Sequence, residues 1–96
     1  MTPDHENALR ESIAMGEEAA RALDCPPVRA YFETSESRLL DALLGAPAGD
    51  EGHAAREGLT AQLRAIRKLR EALEVAVESA RYAADQLTTH TDETEG

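Results

Sequence analysis

Leu59, Ile66, Leu73, Ala80 and Leu87 stand seven residues apart. A strand alternates every two residues, so only a helix keeps such a row on one side over this length. Gln62, Leu69, Ala76 and Ala83 form a second sevenfold row. Leu63, Arg70, Val77 and Ala84 form a third. The three rows predict a core-facing helix over about 51–87, packed with the left-handed supercoil that a period of seven imposes.

Upstream segments predict two shorter helices. Thr2 suits a helix cap, Pro3 the first helical position and Asp4 the positive dipole end. Leu9, Ile13, Gly16, Ala20 and Leu23 then recur at spacings of four and three, a coiled-coil stripe within residues 1–24. Gly16 and Ala20 make that stripe shallow, so a partner helix can approach closely. Gly16 also costs about 1 kcal/mol of helix propensity.

Cys25-Pro26-Pro27 ends this acidic helix, because proline disfavours helical geometry before it and donates no backbone hydrogen bond. The next helix, about 26–44, carries Val28, Tyr31 with Phe32, Ser35, Leu39, and Ala42 with Leu43, flanked by Leu40 and Leu44. Gly45 is its expected cap, and GAPAGDEG its linker. Asp50 can cap the long helix, while Gly52 and Gly58 suggest a loose opening. Residues 89–96 offer no apolar anchor, which predicts a disordered acidic tail.

The expected fold is all-α: an antiparallel, coiled-coil-like helical hairpin over 25–88 with an additional N-terminal helix. Laid end to end, the first two helices match the third. Either both lie along it, or the first reaches to a neighbouring subunit. A 96-residue chain with three aromatics (Tyr31, Phe32, Tyr82) has a thin core. Pairing with further copies would stabilise it, so an oligomer is expected. Leu9, Ile13, Gly16, Ala20, Arg70, Leu73, Val77 and Ala80 are its candidate interface. Arg70, in an apolar row, calls for a carboxylate across a helix boundary.

Charge narrows the partners. The formal net charge is −9, which opposes general binding to nucleic acid or anionic membrane. Residues 51–70 run against this trend, with Arg56, Arg64, Arg67, Lys68 and Arg70 facing only Glu51 and Glu57. On a helical wheel Arg64, Arg67 and Lys68 share an outer face. That face can be solvated, with Arg67–Glu71 and Arg70–Glu74 pairs. It can also meet an acidic protein surface, such as the first helix of a neighbour, or phosphate.

Other candidate sites have weaker patterns. His53 and Glu57, one turn apart with Asp50 before them, can hold a metal. Ferritin-like di-metal bundles, however, use Glu-x-x-His on paired helices, and no Glu-x-x-His occurs. Cys25 stands near a helix N-terminus, where a reactive thiol is a candidate, but no base lies beside it in sequence. Tyr31 and Tyr82 could stack on a nucleotide. No phosphate loop, zinc spacing or hydrolase motif is present, so no catalytic residue, metal or cofactor is assigned and an enzyme is not expected. One cysteine, no membrane-length apolar run and a polar N-terminus point to a cytoplasmic protein.

Residues Arg21–Leu87 combine the proline corner, Val28-x-x-Tyr31-Phe32, a leucine-rich helix, a Gly/Asp loop and then AREGLTAQLRAIRKL. This stretch resembles small helical proteins of tailed-phage and gene-transfer-agent head modules. The small-terminase oligomerisation core is the nearest named class. The resemblance implies a homo-oligomeric adaptor in DNA packaging or head assembly, working beside a large terminase or portal. Small terminases usually place a helix-turn-helix before this core. Residues 1–24 hold at most one acidic helix, so sequence-specific DNA reading is not expected. The run Ala65-Ile66-Arg67-Lys68-Leu69-Arg70-Glu71-Ala72 is also similar to small phage proteins that sequester cyclic nucleotides. That alternative implies ligand held by basic and tyrosine side chains.

Overall fold

In the computed structural model, Thr2 opens helix α1 (Pro3–Asp24). Its Oγ1 accepts a hydrogen bond from the His5 backbone N–H at 3.1 Å, satisfying one of the donors that a helix start leaves free. The backbone is described for residues 1–95 and side chains for residues 1–89; Gly96 lies outside the described residues. Among them the structure is all-helical, with three helices and no strand.

Cys25 alone separates α1 from α2 (Pro26–Gly45). Its backbone is extended, as expected before a proline, and its carbonyl accepts from the Arg29 N–H at 3.0 Å. The expected glycine cap is corrected at the other end. Gly45 is the last helical residue, and Ala46 caps the helix in an extended conformation imposed by Pro47. The left-handed residue of the loop is Gly49, with φ 78°.

α3 spans Asp50–Glu95. The apolar rows place its end near Leu87 and leave 89–96 without structure, but the backbone stays helical to Glu95. No glycine or proline interrupts residues 88–95, and propagating an existing helix is far easier than starting one. Asp50 lies inside the first turn, where its charge favours the helix dipole.

The chain divides into two compact units, Met1–Asp24 with Ala72–Gly96, and Cys25–Glu71. In the first, α1 packs on the later part of α3. Leu9, Gly16 and Ala19 are buried from α1, and Ala83 from α3. Gly16 sets the approach: a β-carbon there would overlap that of Ala80 and stand 2.8 Å from the Ala76 carbonyl oxygen. The close partner of this shallow stripe is therefore α3 of the same chain. Ile13, Ala20, Leu73, Val77 and Ala80, expected between copies, are half-buried within the chain alongside buried Leu9 and Gly16.

In the second unit Phe32, 4% exposed, and Leu63 are the buried large side chains. Val28, Leu39 and Leu43 of α2 and Leu59 and Ile66 of α3 are half-buried beside them. Tyr31 meets Phe32 edge-on, with ring centroids 6.1 Å apart, and stays exposed. Arg70 finds its carboxylate here, pairing with Glu36 of α2.

The α2–α3 connection is tighter than two glycines suggest. Gly52 is buried, and a β-carbon on it would overlap the Pro47 carbonyl oxygen. The Arg56 guanidinium donates to that same carbonyl oxygen and, at 2.8 Å, to the carbonyl of Gly49. The opening of α3 is thus fastened, and the expectation of a loose start is corrected. The glycine is there for close approach rather than for freedom.

Candidate functional site

The outer face of α3 in the second unit carries the basic residues. Successive turns set Arg64, Arg67 and Lys68 within about 6 Å of helix length. All three are exposed. With Thr60, Leu63 and Glu71 they line an open groove of about 340 Å³. Towards the α2–α3 loop lies a concavity of about 580 Å³, lined by His53, Arg56, Glu57, Ala61 and Leu43 and sharing Thr60 and Arg64 with the groove. The two form one continuous, mainly basic strip. Arg70 does not belong to it, since its guanidinium turns to Glu36 between the helices.

His53 and Glu57 do come together, with Nε2 3.1 Å from Oε1, both well exposed. Among the described residues no group of three or more His, Cys, Asp or Glu is gathered to hold a metal ion. Asp50 does not join the pair. Cys25 is half-buried at the start of α2, with no side-chain hydrogen bond to the helix end. Tyr31 and Tyr82 are both exposed and line none of these grooves.

The first unit carries a second surface that the apolar periodicity misses. Met15 lies off the stripe of α1 and is 65% exposed. It borders two adjoining depressions of about 320 and 360 Å³, both also lined by Ala76. Ala19, Ala72 and Leu73 make the floor largely apolar, and Glu11 and Glu18 stand at its rim. A large apolar side chain outside the packed stripe was the available signal. Leu69, Val75 and Leu44 are exposed in the same way.

No family model, curated protein or solved structure matches the chain. Among the described residues no helix is long and apolar enough to cross a membrane.

Proposed function

We propose that this chain is a non-enzymatic helical adaptor that works as a homo-oligomer, its α2 and α3 forming an antiparallel hairpin. The antiparallel arrangement is supported by three contacts: Glu36 with Arg70, Leu43 beside the His53–Arg64 concavity, and Pro47 with Gly52 and Arg56. The observation that carries the adaptor reading is the apolar surface around Met15. It is left open by the single chain in a domain too small to hide much of its apolar area. The resemblance of Arg21–Leu87 to phage head-module proteins supports a role in particle assembly or DNA packaging, with a large terminase or portal as partner. The exposed Arg64, Arg67 and Lys68 then sit on a rim that meets an acidic partner or, without sequence preference, nucleic acid.

Light scattering on the full chain tests the first step. An assembly larger than a dimer is expected, and Met15→Glu should lower its mass at equal concentration. A wild-type chain that stays at its monomer mass of 10.4 kDa over the whole accessible concentration range would end the proposal.

The second reading, capture of cyclic nucleotides, rests on the same basic groove. A thermal shift with a cyclic dinucleotide that disappears in Arg64→Ala and Lys68→Ala would favour it over the adaptor.

A further inference from the structure

The chain carries two open surfaces of opposite character. The groove on the second unit offers Arg64, Arg67 and Lys68 against one acid, Glu71. The depression on the first unit offers an exposed Met15 between Glu11 and Glu18, with no base in its lining. Glu11, Met15 and Glu18 fall at positions i, i+4 and i+7, so they form one line about 10 Å long on α1. Arg64 and Lys68 are one turn apart on α3.

We infer that the two surfaces are halves of one contact: the basic groove of one copy seats on the Met15 depression of the next. This rests on the self-association proposed above and specifies its geometry. The aliphatic stems of Arg64 and Lys68 cover the Met15 side chain, and their charged heads reach Glu18 and Glu11. Charge complementarity selects a second copy as the occupant. A polyphosphate strand on the groove would meet Glu57 and Glu71 at its two ends and a chain of net charge −9 around it. The acidic rim of another copy supplies two carboxylates two turns apart, a span that the long side chains of Arg64 and Lys68 can bridge from positions one turn apart. Where a copy uses its two patches on two different neighbours, the contact repeats from copy to copy and closes a ring or extends a filament.

Charge reversal on exposed positions tests this without touching the core. Arg64→Glu with Lys68→Glu in one chain, and Glu11→Lys with Glu18→Lys in another, should each fall to the 10.4 kDa monomer where the wild type assembles. An equimolar mixture of the two should reassemble, since each then presents the complement of the other. Arg29→Glu with Arg38→Glu makes the same change in net charge on exposed positions of α2 and should keep the wild-type mass. A base-reversed chain that keeps its mass, a mixture that stays monomeric, or a control that dissociates equally overturns the contact while self-association stands. A duplex DNA probe whose binding is lost on base reversal, with the assembly intact, assigns the groove to nucleic acid and overturns it too. A monomeric wild type removes the self-association itself.

Discussion

Gly16 of α1 lies so close to Ala80 of α3 that a β-carbon on the glycine would overlap the alanine methyl. Two effects compete on substitution. Gly16→Ala gains about 1 kcal/mol of helix propensity, but it inserts an atom 2.8 Å from the Ala76 carbonyl oxygen, which is backbone and cannot rotate aside. Overpacking costs about 1–3 kcal/mol, so a net loss of about 1 kcal/mol is expected. Gly16→Leu should cost considerably more. Ala80→Gly should recover part of the Gly16→Ala loss by vacating the nearer atom. Thermal unfolding followed by circular dichroism reads all three. A Gly16→Ala chain more stable than the wild type would mean that α1 does not sit this close to α3.

Arg70 and Glu36 should behave asymmetrically. The Glu36 side chain is only 17% exposed and that of Arg70 34%. Removing the arginine strands a mostly buried carboxylate, whereas replacing both by apolar groups removes the need for either. Solvent still reaches Arg70, so the penalty for Arg70→Met is about 1–2 kcal/mol rather than that of a fully buried pair. The double variant Glu36→Leu/Arg70→Met should lie closer to wild type than Arg70→Met alone. Urea unfolding of the four-member cycle checks this, and additive losses would mean the pair is not coupled.

The α2–α3 loop should be intolerant at Gly52 and selective at Arg56. Gly52→Ala places a carbon on the Pro47 carbonyl oxygen and 2.7 Å from an Arg56 guanidinium nitrogen, so either the loop opens or α3 loses its first turn. Arg56→Lys keeps the charge but has no planar fork to serve the carbonyls of both Pro47 and Gly49. A loss of about 1 kcal/mol is expected for Arg56→Lys, as for one to two exposed hydrogen bonds. Hydrogen exchange should speed up in residues 50–56 in both variants. Unchanged exchange there would show that the loop is not fastened by this contact.

The sequence made α3 legible and left its orientation open. The rows headed by Leu59 and Leu63 face the covering helices as far as Val77 and Leu87. Leu69, in the row headed by Gln62, is exposed, although Ala83 of the same row is buried. Periodicity defines a wide stripe, but which side of it receives a partner depends on the helix that arrives. Arg70 was recognisable as needing a carboxylate because its row is apolar. Glu36 was not, because it neighbours Ser35 at the edge of the α2 stripe and nothing local fixes the α2–α3 register. Gly16 announced a close approach without saying whose helix would make it. Met15 sits off the repeat, and being off the repeat is what leaves it exposed.

Phe32 and Leu44 should separate what the single chain buries from what it leaves open. Both lie on α2, at 4% and 87% exposure. Phe32→Ala removes the one buried aromatic ring, and a loss of about 3–5 kcal/mol is expected for such a cavity. In a domain of this size that is most of the folding free energy, so the variant should be largely unfolded at room temperature. Leu44→Lys changes only a solvated surface in the monomer and should stay within about 0.5 kcal/mol at low protein concentration. Folding coupled to assembly becomes more favourable as concentration rises. If Leu44 contributes to a contact between copies, the gap between wild type and Leu44→Lys should widen with concentration. If it does not, the two unfolding curves should run parallel at every dilution. Chemical unfolding repeated over a hundredfold concentration range decides between these outcomes. A large Leu44→Lys loss at the lowest concentration would instead mean that Leu44 is buried within its own chain.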